Sequence, residues 1–183
     1  AYREAVLADS PLAYYDFDAT RRMAFRDNPD AEVFASAVNG DNLLGVFRDG
    51  GLNTGVPGVI GLGVSFPRTE SDFIGADTLY NFVNSKSFTL ECWVRPVLKA
   101  DGVNVIISKR AGDNGYQLDM FRDNLSVETT FTVGDDAGFS TLTNTEDAGP
   151  ADPGSEVDLG WRHMGAVFDG SAKVGRLYVN GTL

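Results

Sequence analysis

The chain has 183 residues, 43% of them hydrophobic, which is enough to bury a core within one domain. Its formal net charge is -11, and this acidity argues against phosphate backbones and anionic membranes as partners. We therefore expect no nucleic-acid partner. We also expect no membrane insertion, because no apolar run approaches the roughly 18 residues of a membrane helix.

The composition predicts an all-β fold, because 21 glycines punctuate the chain and no long window repeats the apolar spacing of a helix. The N-terminus is the exception, where Tyr2–Ala8 predicts a short helix that Pro11 ends. Alternating aromatics at Leu12–Phe17 predict a first strand. Residues 19–58 mix scattered apolar side chains with turn formers, which predicts long surface loops and one or two short strands.

The stretch Ser87–Pro96 gives the clearest strand pattern in the chain. Side chains alternate there with period two, so Phe88, Leu90, Cys92 and Val94 form the predicted core face. Pro96 ends the strand because it has no N–H to donate. Earlier in the chain, Val59–Phe66 also predicts a strand, in which Gly61 and Gly63 indicate a bulge or a close backbone approach.

The second half of the chain predicts further strands separated by turn residues. They are Val103–Lys109, Tyr116–Phe121, Leu125–Val133, a short strand near Phe139–Leu142, Trp161–Phe168 and Val174–Val179. Asn180 and Gly181 form the preferred two-residue hairpin loop. Only two residues follow that loop, so we expect the last sheet to be completed by further chain or by a segment from elsewhere.

Several segments occur together in an order that resembles a known family. They are FTLECWVRP at 88–96, IISKR at 106–110, GYQL at 115–118, WRHMGAVFDG at 161–170, RLYVNG at 176–181 and AVLADSPLAYY at 5–15. Together they resemble the laminin-G-like domains of the concanavalin A-like lectin/glucanase superfamily. The resemblance implies a two-sheet antiparallel jelly-roll sandwich, here a single domain over residues 1–183 that is incomplete at its C-terminus.

Catalytic relatives on this fold carry alternating carboxylates on one strand, so that two acids flank the scissile bond. Here Glu91 stands alone on its strand, and we expect no enzymatic activity. His163 is the only histidine, which excludes a metal site built from several imidazoles. We assign His163 a structural hydrogen-bonding role. Cys92, the only cysteine, lies on the core face and is expected to be a buried small hydrophobe.

The resemblance also implies calcium near one rim of the sandwich. If the strands alternate direction, the loops at 110–115 and 134–137 emerge at the same end of the sheet. The candidate calcium ligands there are Asp113, Asn114, Asp135 and Asp136. Asp16 and Asp18 form an alternative pair near the N-terminus, and solvated turn residues are the simpler explanation for either set.

Exposed aromatic rings can stack on the C–H faces of sugars, although aromatic rings in a sandwich more often belong to its core. The candidates are Trp93, Tyr116, Tyr178 and Trp161. No sugar specificity follows from them, and the ligand-binding residues are otherwise unknown.

The sequence favours a non-catalytic extracellular binding or adhesion module, part of a larger secreted or cell-surface protein, with a glycan or protein ligand. One alternative is a structural subunit of a surface filament or coat that self-assembles by strand exchange. A glycan-acting enzyme is the other alternative.

Overall fold

The computed structural model of the protein describes most of the chain, in two compact units that comprise Ala1–Leu79 and Tyr80–Leu183. The described residues are 2–18, 21–25, 28–36, 40–48, 53–66, 73–75, 82, 86–99, 102–123, 125–135, 138–147 and 155–183. The single domain expected over residues 1–183 stays a prediction. In the described part of the chain, no helix has the length and apolarity needed to span a membrane.

The first unit begins with the predicted helix, α1, at Tyr2–Ala8. The strand predicted at Leu12–Phe17 is wrong, because that segment joins no sheet. Phe17 has a φ of 58°, in the left-handed region, and this ends an extended run. The rings of Tyr15 and Phe17 stack with centroids 6.3 Å apart, so alternation here reflects an aromatic pair instead of a sheet face.

The rest of the first unit is built from antiparallel strands. They are β1 (Arg21–Phe25), β2 (Asn28–Ser36), β3 (Gly40–Arg48), β4 (Asn53–Pro57), β5 (Leu62–Ser65) and β6 (Phe73–Gly75). One sheet has the order β1-β2-β3-β6, and β4 pairs with β5. The prediction of long loops with one or two strands over residues 19–58 is therefore wrong, since four strands lie there.

Gly61 confirms the close approach predicted from its place in an apolar run. Its φ is 67°, and a Cβ atom there would overlap the carboxylate of Asp18. That carboxylate accepts a 2.7 Å hydrogen bond from the N–H of Leu62. The glycine thus lets an acidic side chain hold the first residue of β5, which starts three residues later than the sequence predicts.

The second unit contains nine further strands within its described residues. They are β7 (Phe88–Val94), β8 (Val97–Lys99), β9 (Gly102–Ala111), β10 (Asn114–Arg122), β11 (Ser126–Asp135), β12 (Gly138–Asp147), β13 (Glu156–Asp158), β14 (Arg162–Asp169) and β15 (Val174–Val179). They form a four-stranded sheet of order β12-β11-β10-β9, a three-stranded sheet of order β15-β14-β7, and the pair β13-β8.

Most of these strands match the predicted ones, with two kinds of difference. β12 has ten residues where a short strand near Phe139–Leu142 is predicted, because it pairs with β11 along its full length. The short strands β8 and β13 are not predicted from the sequence, and they pair only with each other. Strand β13 is difficult to predict because turn-forming residues flank it. Pro96 ends β7 as expected.

The predicted turns are confirmed by backbone geometry. Asn180 and Gly181 have φ values of 51° and 79°, as a type I′ hairpin requires, and Val179 exchanges two backbone hydrogen bonds with Thr182. Between β9 and β10 the chain turns at Gly112, whose φ is 61°. These turns fix the register of the sheets on either side of the core.

The core of the second unit lies between the three-stranded and four-stranded sheets, so the unit is an antiparallel β-sandwich. Phe88 of β7 is its centre, with ring centroids 4.9 Å from Tyr116, 6.2 Å from Phe131 and 5.7 Å from Phe168. Met164 and Ala166 of β14 are fully buried beside it. This arrangement confirms the all-β, jelly-roll sandwich predicted from the sequence.

Candidate functional site

The outer face of the three-stranded sheet carries exposed aromatic and acidic side chains. Along β7 the inward residues pack against the core, as predicted, while Thr89, Glu91 and Trp93 point outward. Trp93 is 37% exposed although a tryptophan can contribute a large apolar area to a core. Its position follows from the period-two alternation of a strand whose other face is buried.

The neighbouring strand, β14, presents His163 and Gly165 on the same face. The antiparallel register places His163 opposite Trp93 and Gly165 opposite Glu91. On its other side, Gly165 lies opposite Tyr178 of β15. We call these five residues the platform: Glu91, Trp93, His163, Gly165 and Tyr178.

Two contacts organise the platform around His163. Its Nε2 lies 2.9 Å from Oε1 of Glu91, its diagonal neighbour across the β7–β14 pair. Its ring centroid is 4.9 Å from that of Trp93, with the two planes tilted by 51°. His163 therefore orients both a carboxylate and an indole ring on one exposed surface.

The hairpin after β15 holds the backbone of His163 from the opposite side. The N–H of His163 donates to Oδ1 of Asn180 at 3.0 Å, and the N–H of Asn180 donates to the His163 carbonyl at 2.8 Å. These bonds extend the β14–β15 pairing past Val179, the last residue of β15. They fix the backbone of His163, while its side-chain contact with Glu91 agrees with the predicted structural hydrogen-bonding role.

Gly165 leaves a bare strip in the middle of the platform. A Cβ atom there would lie 3.8 Å from Cβ of Tyr178, which is ordinary van der Waals contact. The backbone at Gly165 is thus lower than its neighbours by the height of one side chain, with Glu91 on one side and Tyr178 on the other. A flat ligand can lie on the backbone between them.

A shallow depression of about 310 Å³ continues the same face toward the β14–β15 turn. It is lined by Ser87, Phe88, Thr89, Val167, Phe168, Asp169 and Arg176. Hydrogen bonds from Ser171 and Ala172 lower the pKa of the Asp169 carboxyl, which keeps it ionised. Arg176 lies near enough to contribute to that effect, so this end of the face carries charges of both signs.

Cys92 does not contribute a reactive group to the platform, although Glu91 and Trp93 flank it in sequence. It lies on the inward face, and burial, with a smaller contribution from the Glu91 charge, raises its pKa to about 12. The thiol therefore stays protonated and is a poor nucleophile. The prediction of a core residue is confirmed.

The four aromatic candidates separate into three kinds of position. Trp93 and Tyr178 belong to the platform, and Trp161 is 36% exposed immediately before β14. Tyr116 is wrong as a sugar-stacking candidate, because only 3% of it is exposed and its ring packs against Phe88 in the core. The alternation of β10 agrees with this, since Tyr116 shares its face with Leu118 and Met120.

The first calcium candidates lie at one end of the four-stranded sheet. Gly115 pairs with Gly134, so Asn114 and Asp135 sit at neighbouring strand ends, as the predicted strand directions require. Asp113 is exposed and lies 3.5 Å from the Arg110 guanidinium. The side chain of Asp135 and all of Asp136 lie outside the described residues. Calcium here stays a prediction, which melting curves recorded with calcium and with chelator would test.

The alternative pair has protein partners already. Oδ2 of Asp16 lies 3.5 Å from Nε of Arg3, and Asp18 accepts the hydrogen bond from Leu62. Across the residues whose positions are described, no three His, Cys, Asp or Glu side chains converge to hold a metal. Calcium at Asp16 and Asp18 also stays a prediction.

The pairing of His163 with Glu91 is the feature that sequence reasoning missed. The two residues are 72 positions apart, and only the register of β7 against β14 makes them diagonal neighbours. Both residues do occupy outward positions in predicted strands. That shared alternation was the one signal available in the sequence.

The described second unit is thus a two-sheet antiparallel sandwich with an exposed aromatic and acidic platform. The profile of the laminin G family within the concanavalin A-like lectin/glucanases superfamily matches residues 68–183. The chain belongs to this family, which confirms the resemblance noted in the sequence. A comparison with curated protein sequences found none that matches the chain. The superfamily name joins sugar-binding lectins with glucanases. Membership therefore indicates a fold that binds ligands, and any activity must be inferred from the residues of the site.

Proposed function

We propose that the protein is a non-catalytic glycan-binding module of a secreted or cell-surface protein, and that the platform is its binding surface. The observation that carries this proposal is the exposed indole of Trp93 beside the Glu91–His163 pair. An aromatic ring stacks on the C–H face of a sugar, while the carboxylate and imidazole exchange hydrogen bonds with its hydroxyl groups.

The bare strip at Gly165 supports a ligand that lies across the sheet. Trp93 and Glu91 are successive outward residues of β7, so they are about 6.6 Å apart along the strand. This spacing suits one sugar unit stacked on the indole with its substituents over the carboxylate. The neighbouring unit then rests between Glu91 and Tyr178, where Gly165 offers no side chain.

The distance between carboxylates supports a non-catalytic role. Glycosidases place two carboxyl groups roughly 5–9.5 Å apart. Among the described residues of this face, Asp169 lies four residues along β14 from the residue opposite Glu91, or about 14 Å away by strand geometry. Its carboxylate also accepts hydrogen bonds from Ser171 and Ala172. Asp158 reaches the edge of the face, where it pairs with Arg95, two outward positions along β7 from Glu91. A reducing-sugar assay on a polysaccharide panel tests this point, and turnover would contradict it.

The main test is a glycan array followed by titration of the best ligand. Trp93→Ala should weaken binding by about fivefold or more, because an aromatic stacking contact contributes on the order of 1–3 kcal/mol. Leu125→Ala is the matched control, since Leu125 is 64% exposed in the β10–β11 turn and lies off the platform. Equal affinity of both variants would contradict the assignment of the site.

Self-assembly is the second candidate, and one observation favours it. Within the described residues β15 pairs on one side only, with β14, and a depression of about 240 Å³ lies between it and β12. A strand from another copy could add to such an edge. Light scattering over a range of concentrations tests this, and a monomer at all concentrations would exclude it.

A further inference from the structure

We infer that the platform prefers glycans whose sugars carry a positively charged nitrogen, such as amino sugars, over neutral N-acetylated ones. This inference rests on the proposed function and specifies its ligand class. It follows from what surrounds the bare strip at Gly165. The strip is bounded by a carboxylate and an aromatic ring, and a second aromatic ring, the indole of Trp93, lies next to the carboxylate on β7.

Aromatic rings and a carboxylate together favour a cation. The faces of indole and phenol rings are electron-rich and attract ammonium groups, with tryptophan the strongest, and a nearby carboxylate adds direct attraction. Trp93 is 37% exposed, and the side chain of Glu91 is 41% exposed, so both are accessible to a ligand. A sugar stacked on Trp93 places a substituent at the distance of Glu91 along the strand.

The other charged groups on the sheet leave this preference in place. Arg95 is the next outward residue after Trp93, and its charge is neutralised by Asp158. Nη2 of Arg95 donates to Oδ2 of Asp158 at 2.6 Å. Arg176 is the outward residue of β15 next to Tyr178, and its charge acts on the Asp169 carboxylate, which lowers the pKa of that carboxyl. Nε2 of His163 lies 2.9 Å from Oε1 of Glu91, and the Glu91 side chain is still 41% exposed to a ligand.

The charge of the whole chain acts in the same direction. A formal net charge of -11 repels polyanionic glycans and concentrates cations near the surface. This long-range attraction does not select a site by itself. It raises the association rate of a cationic glycan, while Glu91 and Trp93 determine where the charge binds.

The test compares two tetrasaccharides of glucosamine, one with every nitrogen trimethylated and one with every nitrogen acetylated. The trimethylated nitrogen has no proton to lose, so it keeps its charge at any pH used in the titration. By calorimetry at low salt, the cationic sugar should bind at least about tenfold more tightly than the acetylated one. In Glu91→Gln this ratio should fall several-fold, because only the attraction of the aromatic rings and of the net charge remains, while the glutamine oxygen still accepts a hydrogen bond from His163.

Asp113→Asn is the matched control, because it removes the same charge from an exposed turn that lies off the platform. It should keep the preference for the cationic sugar. Equal binding of the two sugars, or tighter binding of the acetylated one, overturns the inference while leaving glycan binding intact. A ratio that Glu91→Gln leaves unchanged overturns the role of Glu91. Failure of both sugars to bind overturns the inference, whereas the proposed function fails if no glycan on the array binds or if the best array ligand binds Trp93→Ala as tightly as wild type.

Discussion

The two outer faces of the second unit are both polar, but they use their polar groups differently. On the four-stranded sheet, Nε2 of Gln117 donates to Asp119 at 2.6 Å, and the Thr130 hydroxyl donates to the other oxygen of that carboxylate. Thr132 and Thr141 pair at 3.0 Å across β11 and β12. Asp119 and Thr132 are buried. This face satisfies its polar groups internally.

The platform, in contrast, holds its polar and aromatic groups at the surface. Glu91 and His163 pair with each other, yet both side chains remain substantially exposed, as does the ring of Trp93. The comparison teaches that polar composition does not locate a binding surface. What distinguishes the platform is exposure of an aromatic ring together with charged groups whose orientation is fixed.

The largest change in stability is expected for a core residue that packs between the two sheets. Phe131 of β11 is 1% exposed and contacts Phe88 of β7 across the sandwich. Phe131→Ala should lower the free energy of unfolding by about 3–5 kcal/mol, because it leaves a cavity between the sheets. Urea titration measures this, and Leu125→Ala should change the value by less than about 0.5 kcal/mol. A small loss for Phe131→Ala would contradict the described core.

Asp119→Ala separates the two faces. It leaves Gln117 and Thr130 without their buried acceptor, so stability should fall by about 1–3 kcal/mol. Glycan affinity should stay within about twofold of wild type at a temperature where the variant is folded, because Asp119 lies on the opposite sheet from the platform. Lost binding by the folded variant would move the site to the four-stranded sheet.

Gly165→Ala sharpens the description of the platform. The added methyl group meets Tyr178 at ordinary contact distance, so the melting temperature should change little. Binding should weaken several-fold, because the methyl group occupies the strip where the ligand rests. Unchanged affinity in calorimetry would show that the ligand does not cross Gly165. Gly175→Ala is not a suitable control, because a Cβ atom there would lie only 2.8 Å from Cδ1 of Leu142.

The smallest change in stability is expected from two turn carboxylates, one in each sheet. Backbone N–H groups of Leu125 and Ser126 lower the pKa of Asp123, and hydrogen bonds from Ser171 and Ala172 lower that of Asp169. Each carboxyl therefore has a lower pKa when folded than when unfolded. Their stabilisation is present above the ordinary value of 3.8 and is lost as pH falls below it.

Urea titrations between about pH 5 and pH 2.5 measure this loss, which should be gradual. Asp123→Ala and Asp169→Ala should each make the fall with pH shallower, to a similar extent, because both residues cap a turn. A variant whose stability falls as steeply as that of wild type would contradict the role of its carboxylate.

The sequence predicts the fold best where local pattern and burial agree. The strand β7 has one apolar and one polar face, and β15 is bounded by an Asn-Gly hairpin, so both were predicted closely. Leu12–Phe17 has the same alternation without a sheet, since nothing local distinguishes an aromatic pair from a strand. The length of β12 depends on pairing with β11, which is a tertiary property.

The candidate site was predicted in part for the same reason. The outward positions of Glu91 and Trp93 follow from alternation within a single strand. The pairing of Glu91 with His163 and the strip at Gly165 depend on the register between strands that are distant in sequence. Tyr116 shares one face of β10 with Leu118 and Met120, and this alternation is the sequence signal that separates it from the sugar-stacking candidates.

The most direct test of the platform is an NMR titration with a bound glycan, following backbone amide shifts across the second unit. The binding account predicts that the largest shifts cluster at Glu91, Trp93, His163, Gly165 and Tyr178, with an additional change in the fluorescence of Trp93. Amides of Gln117, Thr130 and Thr141 on the four-stranded sheet should stay unchanged. Shifts concentrated on those three residues, with the platform unaffected, would contradict it.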